Sequence, residues 1–228
     1  AARVIGRLQV KSAGAALIRA VNDSQPPVRY AAMRALGEIR EEMAVQALTE
    51  QLEHYRKGEG AWSAIDGLAR IAHASSIPVF KSRLADRDEY IRRAAVEGLA
   101  RAKATGEAST LETVATRDSS KMVRAAAVFA LQMFGRNEVA RLVAPLESAD
   151  MGPQICGYLL ELGPSVVGEL VPHLKDPKDG VRGNVALILG ALGTRAEMPV
   201  LEPLLHDRNG DVRRAAERAI QRVKMRGA

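Results

Sequence analysis

The chain has one cysteine, Cys156. A single thiol excludes an intrachain disulfide and a cysteine-based metal cluster, and it serves as a small core residue more often than as a nucleophile. Aromatic residues are only 4% of the 228. The apolar content is mostly Ala, Leu and Val, which suits closely packed helices better than a β-sandwich. No apolar run approaches the roughly 20 residues a membrane span needs. The opening AARVIGRLQV lacks a charged-then-apolar signal pattern, so the expectation is a cytoplasmic, reducing location without membrane insertion. The four histidines, His54, His73, His173 and His206, do not fall at helical metal-binding spacing, and there is no HExxH, no GxSxG and no glycine-rich phosphate loop. The expectation is therefore no catalytic residue, no metal and no cofactor.

What the chain does have is a repeat. Asp86–Ala100, DRDEYIRRAAVEGLA, returns four times with the same internal spacing, beginning at Asp23, Asp118, Asp176 and Asp207. Each copy places Arg six residues after Asp, preceded by a β-branched apolar residue and followed by small residues and an apolar pair. The pairs are Asp23 and Arg29, Asp86 and Arg92, Asp118 and Arg124, Asp176 and Arg182, and Asp207 and Arg213. A fixed offset kept five times is the mark of a repeat architecture. Hydrophobic residues at 47% allow a substantial core, and a net charge of +6 permits an acidic partner without requiring one.

Two kinds of helix alternate along the chain. An A-type helix precedes each Asp, with apolar residues at helical spacing as in Leu17, Ile18 and Val21. A B-type helix follows it, predicted over roughly 26–39, 59–71, 89–102, 121–134, 152–162, 179–192 and 210–223. Pro145, Pro172 and Pro203 fall inside or near the ends of A-type helices, where proline bends a helix or delays its start. Ser24, Ser119 or Ser120, and Asn209 are expected N-caps, and Pro26 and Pro27 suit a first turn. Residues 1–9 read as the tail of an earlier repeat, since Val4, Ile5, Gly6 and Leu8 align with Ala35, Leu36, Gly37 and Ile39. The expectation is a truncated first repeat in a fragment of a longer protein. An amphipathic helix pair cannot bury both faces alone, so the pairs must stack.

The pattern Asp, Val-Arg, Ala-Ala, Ala-Leu-Gly resembles the HEAT repeat, and more narrowly the short bacterial HEAT-like variant of phycobilisome lyases. The resemblance spans essentially the whole chain. It implies an all-α solenoid of about seven helix pairs forming one domain over 1–228, preceded by a truncated helix. It also implies a ladder at the A–B turns, in which each Asp accepts hydrogen bonds from backbone amides and from the repeated arginines. Such charge-assisted bonds contribute about 1.5–3 kcal/mol each, and the ten Asp and Arg residues read as structural. Two repeats depart from the pattern. Tyr55 stands in place of Asp and Ala61 in place of Arg, and no Arg follows 146–153. Lost rungs there predict local weakness or a kink. HEAT-like deoxyhypusine hydroxylases bind iron through repeated His-Glu pairs, which this chain lacks.

In such arrays the B-type helices line the concave side. Equivalent positions give one row of Tyr30, Trp62, Arg93, Ala125, Gly183 and Arg214, and a second of Arg34, Asp66, Glu97, Phe129, Leu187 and Arg218, with Gly157 or Tyr158 from the fifth pair. Aromatic and apolar anchors within a charged rim are the composition of a protein-binding site, so the expected partner is another protein. Padding between irregular repeats is the competing reading. Trp62 is either the best anchor or a plug for the space left by the missing Arg. Nucleic acid is the second candidate partner, through Arg208, Arg213, Arg214, Arg218, Arg222, Lys224 and Arg226. Against it, Asp66, Glu97 and Glu217 interrupt the face. A bilin-lyase-like or other enzyme-associated subunit is a third candidate.

Overall fold

The computed structural model describes residues 1–226, and among them every regular element is helical. Contacts divide the chain into two compact units, Ala1–Gly135 and Arg136–Ala228. The repeat pattern does not mark this division, although the weakest repeat, near 146–153, lies just beyond it.

In the first unit the B-type helices are α1 (Ala2–Arg7), α3 (Pro26–Glu38), α5 (Gly58–Ile71), α7 (Glu89–Arg101) and α9 (Lys121–Met133). The A-type helices are α2 (Gly14–Ala20), α4 (Val45–Tyr55), α6 (Ile77–Arg83) and α8 (Ala108–Arg117). Each B-type helix packs on the next, and each of α3, α5, α7 and α9 packs on the A-type helix before it. The helix α1 lies against α3 as a B-type helix would. A Cβ on its Gly6 would lie 3.1 Å from the Ala35 Cα. The second unit repeats the plan with B-type α11 (Gly152–Leu162), α13 (Asp179–Leu192) and α15 (Gly210–Arg226), and A-type α10 (Val139–Val143), α12 (Val167–Leu170) and α14 (Met198–Leu201). The B-type boundaries lie within one residue of the sequence expectation, apart from the longer C-terminal end of α15.

Composition explains the differences between elements. Pro172 and Pro203 lack an amide hydrogen, so α12 and α14 tighten into 3-10 segments at Val171–Lys175 and Glu202–His206 rather than continuing as α-helix. Glycine in the Ala-Leu-Gly motif permits close approach of neighbouring B-type helices. A Cβ on Gly37 would lie 2.7 Å from the Gly67 Cα, and one on Gly190 would lie 2.5 Å from the Ala219 Cα. Leu36, Leu48, Leu52, Leu68, Leu99 and Leu111 are fully buried in the first unit. Each such side chain contributes about 1.5–3 kcal/mol. Apolar burial therefore holds the stack, and the fewer turn bonds set its register.

One regularity escaped the sequence. Gln9, Arg40, Ala72, Lys103 and Gly135 all have positive φ, between 53° and 87°. They follow one another at 31, 32, 31 and 32 residues, each just after a B-type helix. The left-handed residue closes the helix and turns the chain into the next A-type segment. Four of the five are not glycine, so residue identity gave no signal.

Candidate interaction surface and the turn ladder

The five repeated Asp side chains share one local role. Each accepts, at Oδ1, the amide hydrogen two residues on: Gln25, Asp88, Ser120, Lys178 and Asn209, at 2.8–2.9 Å. This is an Asx-type cap ahead of each of the five B-type helices that follow a repeated Asp. It replaces the caps expected from Ser24 and Ser119. Ser120 is the N-cap of α9 but its side chain makes no cap bond. Asn209 does cap, accepting from the Asp211 amide at 2.8 Å. Each Arg donates from Nη1 to the backbone carbonyl of its own Asp, not to that carboxylate. The five distances run from 2.5 to 2.9 Å.

Carboxylate rungs form between repeats and only where both partners exist. Arg92 holds Asp118 through Nε and Nη2 at 2.8 and 2.9 Å. Arg182 holds Asp207 in the same way at 2.7 and 2.8 Å. The arginine hydrogen bond is the main reason that both carboxyls are held below the usual carboxylate range. Asp23, Asp86 and Asp176 do not receive such a bidentate pair, which corrects the expectation of a rung at every turn. The first degenerate repeat does not lose its incoming rung either. Arg29 donates from Nε to the Tyr55 hydroxyl at 2.5 Å, and its guanidinium lies 5.8 Å from that ring. The Tyr55 ring fills space that Gly60 leaves open. A Cβ on Gly60 would come within 2.3 Å of the ring. Tyr55, Gly60 and Ala61 thus replace Asp, a β-branched residue and Arg as one set.

The predicted surface rows are exposed only in part. Trp62 is 36% exposed on α5. Its indole Nε1–H donates to Asp88 Oδ2 at 2.6 Å, and its ring lies 5.3 Å from the Tyr90 ring. Asp88 is also the N-cap of α7, accepting from the Tyr90 amide at 2.8 Å. The Arg93 guanidinium lies 4.7 Å from the Tyr90 ring. Burial, and next the Asp66 carboxylate, push the Tyr90 hydroxyl above its ordinary pKa. Arg34 pairs with Glu59 at 3.0 Å, and Asp66 pairs with Arg70 at 2.8 Å on the same helix. Tyr30 is half-buried, edge-on to Tyr55 at 5.6 Å. The surface of α3, α5 and α7 therefore carries one partly exposed aromatic pair bordered by charged pairs of both signs.

Other row members are not on the surface. Phe129 is 0% exposed, Tyr158 is 1% and Glu97 is 5%. Every residue from Ala125 to Leu131 is buried, because AAAVFAL offers no polar face to keep a side of α9 in water. Glu97 is buried between Arg93 and Arg101, one turn away on either side, each at 3.4 Å. Leu187 is half-buried beside Gly183 in a small hollow of the second unit, about 250 Å³, lined also by Asp179 and Asp211. Asp88 and Tyr90 were missed: Asp88 stands where Ser120 and Asn209 stand in their repeats, but the role of both residues beside the indole depends on the reach of Trp62 from α5 to α7.

Among the described residues no group of three His, Cys, Asp or Glu side chains is placed to hold a metal ion. Cys156 is half-buried, and burial raises its thiol pKa, which disfavours the reactive thiolate. Among the described residues no helix is long and apolar enough to cross a membrane.

The model of HEAT repeats matches residues 1–59, 57–132 and 154–221. The gap between the last two matches includes the boundary at Gly135. No curated protein matches the chain. Among solved structures, the chain is similar to the complex of CpcE and CpcF of phycocyanin lyase from Nostoc sp. PCC7120, with 19% identity and a TM-score of 0.66. The similarity covers 98% of this chain and 86% of that one. Human deoxyhypusine hydroxylase is more distant, at 19% identity and a TM-score of 0.43 over 98% of this chain and 89% of that one. These likenesses are of fold. With its family match over most of its length, the chain belongs to the HEAT-repeat family.

Proposed function

We propose that the chain is a non-catalytic scaffold module that binds another protein through the B-type helix face of its first unit, the face expected to be concave. The observation that carries this reading is Trp62. The one tryptophan of the chain is partly exposed, yet its ring edge is fixed by Asp88 and its face by Tyr90. A large side chain held in place before binding loses little conformational entropy on association, the usual property of an interface anchor. The charged pairs Arg34–Glu59 and Asp66–Arg70 supply a polar rim. The similar lyase structure is a complex of two named proteins, which fits a protein partner for this chain too.

The test is affinity capture of the full-length protein from its own host, with wild type and Trp62→Ala compared. Thermal melting of both variants controls for folding. Loss of an anchor costs about 2–4 kcal/mol of binding, so a specific partner should fall below detection. Equal recovery of every partner would sink the reading. The α15 helix supports a second one. Arg213, Arg214, Arg218, Arg222, Lys224 and Arg226 are all exposed against two acids, Asp211 and Glu217. Duplex DNA retained at low salt and released by Arg218→Glu with Arg222→Glu would favour nucleic acid over protein.

A further inference from the structure

The second repeat lacks its outgoing rung, and the place where that guanidinium would sit is open. In the intact rungs, one guanidinium joins two carbonyls of its own turn and the carboxylate of the next, and Arg182 also holds Asp179 at 2.7 Å. Arg92 donates to the Asp86 and Arg87 carbonyls at 2.9 and 3.2 Å and to Asp118. Arg182 donates to the Asp176 and Pro177 carbonyls at 2.8 and 3.2 Å and to Asp207. Shifted to the second repeat, the donor position is Ala61, which is fully buried and has no side chain to reach the turn. The corresponding carboxylate is Asp86, but the 55–56 turn is not shaped like the intact ones: Tyr55 is the last residue of α4, its carbonyl accepts from the Lys57 amide at 2.6 Å, and Arg56 is left-handed.

Between the two turns lies a hollow of about 690 Å³, lined by Tyr55, Arg56 and Lys57 from one and Asp86, Arg87 and Asp88 from the next. Asp86 keeps the cap geometry of its counterparts, with Oδ1 accepting from the Asp88 amide at 2.9 Å. Its Oδ2 has Arg83 Nη1 only at 3.8 Å, beyond hydrogen-bond reach. Arg83 pairs with Glu53 through its other terminal nitrogen, and its buried Nε has no partner. The other missing rung, in the second unit, is closed instead. Lys178 pairs with Glu147 across it, and Gly180 is packed so that a Cβ would lie 3.1 Å from the Glu147 Cα.

We propose that the hollow at the 55–57 and 85–88 turns is a binding site for an arginine side chain supplied from outside the chain. The entering guanidinium lies against the Asp86 carboxylate, as Arg92 lies against Asp118. Its planar fork can meet a carboxylate through two parallel hydrogen bonds, whereas an ammonium offers a point charge without the same geometry. Arg56, Lys57 and Arg87 at the rim oppose any cation. The Arg182 rung forms all the same with Arg208 and Lys178 nearby, where the hydrogen bonds it donates to Asp207 and then to Asp179 favour its charged form. The proposal does not depend on Trp62 as an anchor, because a small probe reads the hollow alone.

The experiment titrates the full chain with N-acetyl-argininamide and follows amide NMR signals of residues 55–57 and 85–88. Saturable millimolar binding is expected, about tenfold tighter than N-acetyl-lysinamide. Asp86→Asn should weaken it about tenfold or more, the loss typical of one charge-assisted bond. Ala61→Arg should fill the hollow from within, abolish probe binding and raise the melting temperature. No shifts at those turns, equal binding of the lysine probe, or arginine binding unchanged in Asp86→Asn would each overturn the proposal. If Ala61→Arg fails to fold, the Asp86→Asn and lysine comparisons still decide it. Protein capture through Trp62 can succeed or fail independently of all three results.

Discussion

Arg29 and Tyr55 form a rung made of a guanidinium and a phenol, 2.5 Å from Nε to hydroxyl, where Arg92 and Arg182 meet carboxylates. The substitution at residue 55 keeps the acceptor and changes its size, so the neighbouring residue had to shrink to Gly60. Tyr55→Phe should therefore destabilise the first unit by about 1–3 kcal/mol, the range for a hydrogen bond to a charged group. Gly60→Val should cost about 1–3 kcal/mol by overpacking the ring. Tyr55→Asp with Gly60→Val should cost less than the sum of Tyr55→Asp alone and Gly60→Val alone. Urea melts of the four variants give the coupling directly. Simple additivity would mean the two sites do not form one set.

Asp118 and Asp207 set an acid limit on the ladder. Their folded pKa values lie below the ordinary value of about 3.9. A depressed folded pKa adds stability that is fully present above the unfolded value and lost as pH falls through the folded one. Asp118→Asn should accordingly be less stable than wild type at neutral pH. The difference should narrow below about pH 4 and disappear at still lower pH. Denaturant melts across that range check it. A gap independent of pH would place the effect elsewhere than in the Arg92–Asp118 pair.

Trp62 reports on its own bracing. It is the one tryptophan, so fluorescence excited beyond the tyrosine absorption band is its signal alone. Asp88→Ala removes both the indole acceptor and the α7 cap. The expected result is increased acrylamide quenching and a red-shifted emission, with a stability loss of about 0.5–2 kcal/mol from the cap. Unaltered quenching would show that Tyr90 stacking alone holds the ring.

Ala72 ends α5 with φ of 56° and ψ of 32°. The left-handed conformation costs an L-residue about 1–2 kcal/mol, partly offset by the greater chain entropy of glycine in the unfolded state. Ala72→Gly should therefore stabilise the first unit by about 0.5–1 kcal/mol, read as a higher urea midpoint. A lower midpoint would mean that the alanine methyl packs more favourably than its backbone strain costs.

Much of the architecture was legible in residue order. The Asp–Arg offset, the apolar stripe at helical spacing and the glycine after Ala-Leu gave the helix pairs and their boundaries, because each depends on neighbours within about two turns. The surface rows were less legible. Phe129 and Tyr158 occupy row positions in the sequence and lie in the core, because burial depends on what packs over a helix as well as on its period. Asp88 caps α7 from a position equivalent to Ser120, but its bond to the indole and the contact of Tyr90 with the ring exist only because Trp62 reaches them from α5.

The sequence by itself determined that this is an all-α stack of HEAT-type pairs, since a repeated motif with period-3.6 hydrophobicity has no other way to bury its apolar stripes. Tertiary structure decided which arginine meets which acceptor, that Tyr55 can stand in for Asp, and that the rung beyond it is open. It also decided which aromatics reach water. Those outcomes turn on distances between turns 25 to 31 residues apart. They depend on side-chain reach and on the space left by Gly60 and Ala61, which no local pattern encodes.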